Sequence, residues 1–216
     1  MRGLFITFEG PDGSGKTSQL KRLAARLREK GADVVMTREP GGTRISDAVR
    51  TMVLSPEYTE MADRTEILLY AASRAQHVQE VILPALQRGA VVVCDRFVDA
   101  SIAYQAYGLG QDPQQVELIN RFATTGLQPD RTYMLDVPVE VSRSRLLKRA
   151  AGSGNESALD RIEMKDREYH ERVREAFLLI ARKNPQRVLL VNADRTEEEI
   201  AADIAADSDS LLLRRF

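Results

Sequence analysis

The sequence predicts an α/β fold in which a five-stranded parallel sheet carries helices on both faces. Short runs rich in Val, Leu, Ile and aromatic residues recur along the chain, and longer segments with helical spacing of apolar side chains separate them. This alternation is typical of repeated β-α units around a parallel sheet. The length of 216 residues suits one such domain and is short for two, so we expect residues 1–216 to form a single domain.

The strands are the short apolar runs. We place them at Leu4–Phe8, Asp33–Thr37, Ala90–Cys94, Thr132–Leu135 and Val188–Val191. A first helix is predicted from the helical spacing of Leu20, Leu23, Ala24 and Leu27, with Gly31 as its cap. Further helices are predicted within Ser46–Leu54, in two patterns within Ser55–Arg88 that Gly89 ends, at Pro113–Thr124, at Val139–Arg149, at Asp160–Lys183 and in the tail after Asn192.

The stretch between the helices at Val139–Arg149 and Asp160–Lys183 reads AAGSGNESA, residues 150–158. It is small and polar, contains two glycines and has no periodic apolar residues, which is typical of a mobile loop. We therefore predict a lid at about residues 150–160.

Net charge, cysteine content and the lengths of apolar runs limit the compartments and partners that we expect for the chain. The 31 basic and 32 acidic side chains give a net charge of −1, so no global field draws the chain to nucleic acid or to an anionic membrane. A single cysteine, Cys94, excludes an internal disulfide framework, and its place in a strand pattern indicates a core residue. We find no apolar run of membrane-spanning length and no signal-peptide pattern. These features predict a soluble cytoplasmic protein without nucleic-acid or membrane partners.

The strongest motif lies between the first strand and the first helix. Gly10, Gly15, Lys16 and Thr17 match G-x-x-x-x-G-K-[ST], the pattern of a phosphate-binding loop. Glycines allow successive backbone N–H groups to turn toward one centre, and the helix N-terminus adds its positive dipole end. Lys16 is predicted to reach the β- and γ-phosphates of a nucleotide, and Thr17 to bind Mg²⁺. The fold prediction thereby narrows to the P-loop NTPase fold.

The third strand ends in VVVCDRF, which places Asp95 and Arg96 at the carboxyl edge of the sheet. Ligands of open α/β sheets bind at that edge. A carboxylate there can hold magnesium through water, and an adjacent arginine can bind a phosphate through two parallel hydrogen bonds. A salt bridge at the strand end is the alternative interpretation of this pair.

The arginines and histidines indicate the acceptor of the phosphoryl group. Arginines accumulate at Arg38, Arg50, Arg74, Arg96, Arg145, Arg149 and Arg161, whereas there are two histidines, His77 and His170. Both histidines lie in helical stretches, and we interpret them as surface residues rather than general bases. A hydroxyl acceptor would need a base. A phosphate acceptor is already ionised at neutral pH and needs none, so we predict phosphoryl transfer to a phosphate.

Four sequence strings, FEGPDGSGKTSQLKRL, TREPGGT, DRFVDASIAYQAYG and LDRIE, occur in this order. In order and spacing they resemble bacterial thymidylate kinase, and the similarity runs from about Leu4 to about Asn192. The resemblance implies transfer of the γ-phosphoryl group of ATP to thymidine 5′-monophosphate (dTMP), with magnesium, in dTTP synthesis. It also implies a homodimer, because members of that family are typically homodimers.

The resemblance implies roles for individual residues. ATP would be bound by Gly10, Pro11, Asp12, Gly13, Ser14, Gly15, Lys16, Thr17, Ser18 and Arg145, and the metal by Thr17, Asp95 and Glu39. The dTMP site would comprise Arg50 and Arg96 at the 5′-phosphate, Arg74 and Gln105 at the thymine with Ser101 at its edge, Tyr70 stacked on the base, Tyr104 beside the sugar's 2′ position, Asp12 near its 3′-hydroxyl, and Glu39 and Pro40 around it. The segment Asn192–Arg195 is expected to form part of the adenine pocket.

The resemblance further implies a catalytic arginine from the lid, because relatives that lack an arginine in the phosphate loop usually supply one there. Residues 150–160 contain no Arg or Lys. We therefore predict that the arginines flanking the lid, Arg149 and Arg161, neutralise the transition-state charge. The predicted catalytic set is Lys16, Asp12, Arg96, Arg149 and Arg161.

Three alternatives stay open at this point. Another nucleoside monophosphate kinase, acting on uridylate, cytidylate or guanylate, would use the same chemistry, because base choice rests on Arg74, Ser101 and Gln105. A deoxynucleoside kinase would need Asp12 or Glu39 as a base. A nucleotide-binding protein that has lost catalysis is favoured by the arginine-free lid alone. A regulatory GTPase is not predicted, because the nearest match to its Asn-Lys-x-Asp element is NADR, which lacks the lysine.

Overall fold

A computed structural model describes residues 3–152 and 159–213, and in these residues it shows one sheet of five parallel strands. The order is β2-β3-β1-β4-β5, with β1 at Leu4–Glu9, β2 at Val34–Arg38, β3 at Val91–Asp95, β4 at Arg131–Asp136 and β5 at Val188–Asn192. Each predicted strand is confirmed to within one residue at either end, and the predicted parallel sheet is confirmed with it.

Helices cover both faces of the sheet. They are α1 (Lys16–Glu29), α2 (Arg44–Leu54), α3 (Asp63–His77), α4 (Leu83–Gln87), α5 (Val98–Ser101), α6 (Pro113–Thr124), α7 (Val139–Gly152), α8 (Arg167–Lys183) and α9 (Glu197–Leu213), with π-helical segments at Val78–Ile82 and Ile102–Gly108. Side chains of β1 alternate between the faces, since Ile6 and Phe8 pack with α1 and α9 whereas Phe5 packs with Val78 and Ile82. None of the helices in the described ranges is long and apolar enough to cross a membrane.

The strand register brings the loops that follow β1, β2 and β3 to one edge. Phe8 near the end of β1 pairs with Asp95 at the end of β3, and Arg38 at the end of β2 pairs with the same residue. Because the strands are parallel, their carboxyl ends meet at this edge, which is where ligands of open α/β sheets bind.

The region Ser55–Arg88 contains one long helix rather than the two predicted. Its first residues are not helical, and α3, the π-helical segment Val78–Ile82 and α4 follow without a break. In the π-helical segment the N–H of Leu83 donates to the carbonyl of Val78, five residues earlier. Pro84 comes next, and its ring would clash with the preceding turn of a regular α-helix, so the widened turn accommodates it. The turn also shifts the apolar periodicity, which explains why the pattern predicted two helices.

Directly after β3 lies a helix that periodicity did not predict. It consists of α5 and the π-helical segment Ile102–Gly108. Ala103, Tyr104, Gln105 and Ala106 are all buried, so no face of the helix at these residues is open to bulk solvent. An enclosed helix has no polar face, and therefore no amphipathic pattern marks it in the sequence.

Helix α8 begins later than predicted. It starts at Arg167 rather than at Asp160, because the carboxylate of Asp166 caps it by accepting a hydrogen bond from the N–H of Tyr169 at 2.7 Å. Of the lid predicted at about 150–160, residues 153–158 lie outside the described residues.

Cys94 lies in β3 and is fully buried, which confirms its prediction as a core residue. Its thiol donates a hydrogen bond to the carbonyl of Arg96 at 3.1 Å. Burial, with nearby Glu39 and Asp95, raises the pKa of the thiol well above its ordinary value. A thiol in that state is a poor nucleophile, so Cys94 has a packing role.

Candidate active site

The phosphate loop connects β1 to α1 and folds around its own lysine. The Lys16 ammonium donates to the carbonyls of Pro11 at 2.7 Å and of Gly10 at 3.1 Å. Gly10 lies at φ +131°, and a Cβ there would be 2.2 Å from the carbonyl oxygen of Leu135, so glycine is required. Burial, together with the charge of Arg96, lowers the pKa of Lys16 to about 8. At neutral pH the loop therefore holds a cation where phosphates are expected.

A cleft of about 1000 Å³ opens in front of this loop. Its lining includes the predicted donor-site residues Asp12, Gly13, Ser14, Gly15, Lys16, Thr17, Ser18 and Arg145. Gly10 and Pro11 do not line the cleft, and their carbonyls accept the hydrogen bonds from Lys16. Arg145 donates to the carbonyls of Gly13 at 3.3 Å and of Ala193 at 3.2 Å, which ties the loop to the segment after β5. Ala193 and Arg195 also line the cleft, at the place expected for the adenine pocket.

Thr17 and Asp95 meet beside the phosphate loop. The Thr17 hydroxyl donates to a carboxylate oxygen of Asp95 at 2.6 Å. Within residues 3–152 and 159–213, no cluster of three or more His, Cys, Asp or Glu side chains could hold a metal ion. Magnesium does not need such a cluster, because it keeps several waters and takes substrate phosphate oxygens as ligands. One hydroxyl and one carboxylate at a phosphate site therefore fit Mg²⁺.

A second cavity adjoins the cleft. Because the sequence predicts the dTMP site here and the ATP site in the cleft, we call the two spaces the acceptor cavity and the donor cleft. All ten residues predicted for the dTMP site line the acceptor cavity, namely Asp12, Glu39, Pro40, Arg50, Tyr70, Arg74, Arg96, Ser101, Tyr104 and Gln105. The residues that line both the cleft and this cavity are Asp12, Glu39, Arg50, Arg96 and Asp160. The two spaces thus meet at charged side chains, most of which the sequence assigned to phosphate or metal binding.

Arg96 lies where the two spaces meet. Its guanidinium donates to Asp12 at 2.5 Å, to the Tyr104 hydroxyl at 3.2 Å and to the Gly10 carbonyl at 3.0 Å. The Tyr104 hydroxyl in turn donates to the other oxygen of Asp12 at 2.8 Å. Burial would raise the pKa of Asp12, but the Arg96 guanidinium and the Lys16 ammonium outweigh it and hold that pKa well below its ordinary range. Asp12 is therefore an ionised carboxylate that orients two donors, and it is a weak base.

Arg74 is buried beneath the acceptor cavity, and protein acceptors fix its guanidinium. Nε donates to Glu39 at 2.6 Å, and Nη2 donates to the carbonyl of Phe97 at 2.9 Å. Nη1 donates to the Ser101 hydroxyl at 2.8 Å and to the side-chain amide oxygen of Asn120. These bonds hold the planar guanidinium in one orientation, as a residue that recognises one base would require.

His77 is fully buried, so its prediction as a surface residue was wrong. Its Nδ1 lies 2.9 Å from Glu39 Oε1, and its Nε2 lies 2.6 Å from the Thr37 hydroxyl. Burial would raise the pKa of Glu39, but Arg74 and His77 lower it below its ordinary value. The partners of His77 come from β2 and the loop after it, and helical periodicity carries no signal for them. His170 on α8 is partly exposed.

Comparison with known proteins shows the family. A model of the family described as thymidylate kinase matches residues 8–204. The chain belongs to the thymidylate kinase family. The thymidylate kinase of Exiguobacterium sibiricum is 51% identical over 215 residues, which cover 100% of this chain and 98% of the relative. That of Pseudomonas putida is 49% identical over 206 residues, which cover 95% of both chains.

A solved structure from the thymidylate kinase family shares the fold. The thymidylate kinase of Ehrlichia chaffeensis superimposes with a TM-score of 0.76 at 33% sequence identity, over 95% of this chain and 98% of the other. This similarity confirms the predicted P-loop NTPase fold.

In this member of the thymidylate kinase family, the two arginines that flank the predicted lid lie in different places. Arg149 is 58% exposed, lines the donor cleft and donates to the carboxylate of Glu163 at 2.7 Å. Arg161 is 9% exposed and donates to Glu66 at 2.7 Å and to the Val53 carbonyl at 3.0 Å. It lines neither the cleft nor the acceptor cavity. The structure therefore brings Arg149, but not Arg161, to the phosphate site.

Several residues at the site were not assigned from the sequence. Asp160 and Glu163 both line the donor cleft, and Asp160 also lines the acceptor cavity. Burial and the neighbouring Glu163 raise the pKa of Asp160 to about 6. The string LDRIE contains both carboxylates, so a signal existed. Asn120 and Glu66 accept hydrogen bonds from Arg74 and Arg161, respectively, and line neither space. No sequence motif identifies these two residues.

Proposed function

We propose that the chain transfers the γ-phosphoryl group of ATP to the 5′-phosphate of dTMP and so supplies thymidine diphosphate for dTTP synthesis, as expected of the thymidylate kinase family. The observation that carries the proposal is the junction of two cavities. One is lined by the phosphate loop and the other by all ten residues of the predicted dTMP site, and they share Asp12, Arg50 and Arg96.

Positioning and charge neutralisation account for the chemistry. Lys16 lies among loop carbonyls at the start of α1, where it can exchange those acceptors for phosphate oxygens of ATP. Arg50 and Arg96, which line both cavities, would bind the acceptor phosphate between them. A phosphate acceptor is already ionised, so no base is needed, and the low pKa of Asp12 argues against a hydroxyl acceptor.

Thr17 and Asp95 are the residues proposed to hold Mg²⁺, with Asp95 acting through water. The ion would neutralise charge on the transferring phosphate. Glu39 is a further candidate that lines both cavities, although its two oxygens already accept from Arg74 and His77.

The acceptor cavity suits a thymine deoxynucleotide. Arg74 and Gln105 present donors to the base, and both are held by buried partners. Tyr70 lines the same cavity as the proposed stacking residue. The Tyr104 ring, which Arg96 covers at 4.9 Å from its centroid, is fixed in the position proposed to crowd a 2′-hydroxyl.

Arg149 is proposed as the catalytic arginine beside the lid. It lies in the donor cleft on a long exposed side chain, whereas Arg161 is tied to the buried carboxylate of Glu66. Release of Arg149 from Glu163 would allow its guanidinium to reach the phosphates.

A homodimer is proposed through the helices α2, α3 and α6. α3 packs against both α2 and α6, and all three helices expose large apolar side chains. These are Ile45 and Met52 on α2, Leu68 on α3, and Leu118 and Phe122 on α6. Single exposed apolar residues are ordinary, but several on adjoining helices are typical of an interface.

The test is ADP formation from ATP and Mg²⁺ with a panel of acceptors, comprising dTMP, deoxyuridylate, uridylate, cytidylate, guanylate and thymidine. We expect fast turnover with dTMP, weak turnover with deoxyuridylate and none with thymidine. Lys16→Met is the inactive control, because it keeps an apolar stem of about the same length as that of lysine and removes the ammonium. Preference for another monophosphate would keep the chemistry and reject the thymine assignment. ATP binding without acceptor-dependent ADP would reject catalysis.

A further inference from the structure

The backbone of Arg96 adopts an unusual conformation. Its φ is +70°, and among residues 3–152 and 159–213 the one other non-glycine residue with a positive φ is Thr125. L-residues adopt left-handed φ values at a cost, and such a residue persists where surrounding contacts determine it. The direction of the Arg96 side chain, and hence its place between the two cavities, follows from this backbone turn.

Hydrogen bonds from two sides hold the turn. The N–H of Arg96 donates to the Phe8 carbonyl at 2.9 Å, and the N–H of Phe97 donates to Glu9 Oε1 at 2.7 Å. The Phe97 carbonyl accepts from Arg74 at 2.9 Å. The turn after β3 is thus attached to the end of β1 by one backbone bond and by one side chain, that of Glu9.

The hydrogen bond to Phe97 is the one that the Glu9 side chain makes among the described residues. Glu9 is fully buried, and it lines neither the donor cleft nor the acceptor cavity. Its second oxygen, Oε2, has no hydrogen-bond partner among the described residues. A buried carboxyl group loses its hydration, which costs free energy. The hydrogen bond from the Phe97 N–H is therefore the interaction that accounts for a carboxyl group at this position.

We propose that Glu9 is a positioning residue for phosphoryl transfer, which holds the Arg96–Phe97 turn through the Phe97 N–H and so aims the Arg96 guanidinium at the acceptor phosphate. The inference rests on the proposed function, which assigns that phosphate to Arg96. What Glu9 supplies is an acceptor oxygen at the right reach. The negative charge of the carboxylate is not required for this role.

The experiment compares side chains that keep or remove that acceptor. Glu9→Gln keeps an oxygen at the same reach, Glu9→Met keeps the length without an acceptor, and Glu9→Asp keeps the acceptor but shortens the reach by one methylene. Thr7→Val is the matched control. It removes another buried hydrogen bond of β1, the one between the Thr7 and Thr132 hydroxyls at 2.7 Å, away from the turn. For each variant, KM for dTMP, KM for ATP, kcat and the melting temperature are measured.

We expect Glu9→Met and Glu9→Asp to raise KM for dTMP about tenfold or more, while KM for ATP changes less than about threefold. Glu9→Gln and Thr7→Val should both stay within about threefold of the unmodified chain in KM for dTMP. If Glu9→Met does not fold, the comparison of Glu9→Asp with Glu9→Gln decides. The inference is overturned if Glu9→Gln raises KM for dTMP as much as Glu9→Asp, or if neither Glu9→Asp nor Glu9→Met differs from Thr7→Val.

Arg96→Lys, measured in parallel, separates this inference from the proposed function. If Arg96→Lys leaves KM for dTMP unchanged, the assignment of the acceptor phosphate to Arg96 fails, and the role of Glu9 fails with it. If Arg96→Lys raises KM for dTMP but the Glu9 variants do not, the proposed function stands and the inference about Glu9 is overturned.

Discussion

Glu9 couples the stability of the fold to pH. Burial, together with the nearby Asp99 carboxylate, raises the pKa of Glu9 from an ordinary 4.5 to about 8. Between these values the folded chain keeps a proton that the unfolded chain releases, so the stability contribution present below pH 4.5 is lost as pH rises through about 8. Glu9→Gln removes this titration. We therefore expect its melting temperature, relative to the unmodified chain, to increase between about pH 5 and pH 8.

The measurement is a pair of thermal unfolding series across that pH range. Thr7→Val is the control, because it removes a buried hydrogen bond but no titratable group, and its offset from the unmodified chain should not change with pH. A Glu9→Gln offset that is equally constant would show that Glu9 is ionised in the folded protein.

Substitutions of the two arginines that flank the predicted lid should have different effects. Arg149→Met should lower kcat by about 10² or more, because Arg149 lines the donor cleft. It should lower the melting temperature less than Arg161→Met does, because Arg149 is 58% exposed and its buried partner Glu163 keeps the N–H of Asp160 as a donor at 3.2 Å. Arg161→Met leaves the buried Glu66 carboxylate without its charge partner and should cost about 3–5 kcal/mol of stability. Steady-state kinetics and thermal unfolding of both variants check this.

Arg167→Met is the control for that pair, because Arg167 is 63% exposed and its partners Glu140 and Glu171 are also on the surface. It should change neither kcat nor melting temperature by much. A stable Arg161→Met with collapsed kcat, beside a fully active Arg149→Met, would reverse the proposed roles.

Among single residues, the sequence could predict most of the side chains that line the two cavities, but not the buried partners that fix those side chains. The placement of Lys16 follows from the phosphate-loop motif, and that of Arg96 from its position after a strand. The partners of buried polar groups come from distant parts of the chain, as with His77 and Glu39 or Arg74 and Asn120. Local patterns hold no information about such pairs, so the sequence placed His77 on the surface.

Gly108 limits how closely α8 can approach the helix after β3. A Cβ at this position would lie 2.7 Å from the Tyr169 ring and 2.9 Å from a methyl group of Val173. Gly108→Ala should therefore destabilise the protein by about 1–3 kcal/mol, even though alanine is the better helix former. Gly152→Ala at the end of α7 is the control, since no described atom lies within 4 Å of its Cβ position.

Thermal unfolding of the two variants decides this point. We expect a fall of melting temperature of about 2–4 °C per kcal/mol for Gly108→Ala, with no fall for Gly152→Ala. Equal melting temperatures would mean that Tyr169 and Val173 can move aside at no cost.

Among the elements, strands were easier to predict than enclosed helices. The strands are short apolar runs, and their bounds follow closely from composition. The helix of α5 and Ile102–Gly108 has no polar face, so its sequence lacks the helical period. The continuation of α3 through the π-helical segment at Val78–Ile82 depends on one backbone adjustment near Pro84, which periodicity does not record.

The proposed homodimer rests on the apolar surface of α2, α3 and α6. Phe122 is 87% exposed and Leu118 is 69% exposed. If this surface is the dimer interface, Phe122→Asp should place a charge in it and shift the protein to monomers, because an unpaired buried charge is costly. Sedimentation or light scattering at several concentrations measures the shift.

Leu147→Asp is the control for the dimer prediction, because Leu147 is 50% exposed on α7, away from the three helices. It should leave the mass unchanged. A monomeric unmodified chain, or a Phe122→Asp variant that is still dimeric, would contradict this interface. An interface and a core cannot be told apart from the sequence here, since both require apolar positions at helical spacing.

The buried thiol of Cys94 allows local unfolding around β3 to be measured by chemical labelling. As the chain's single cysteine, lying beside Asp95 and hydrogen-bonded to the carbonyl of Arg96, it can meet a thiol-specific reagent when β3 separates from its neighbours. Labelling of the native protein should therefore be slow, and its rate should measure how often β3 becomes accessible to the reagent. Saturating ATP and dTMP should slow it further, because ligands that bind the closed state suppress opening. Fast labelling that ignores ligands would show instead that this strand opens independently of the site.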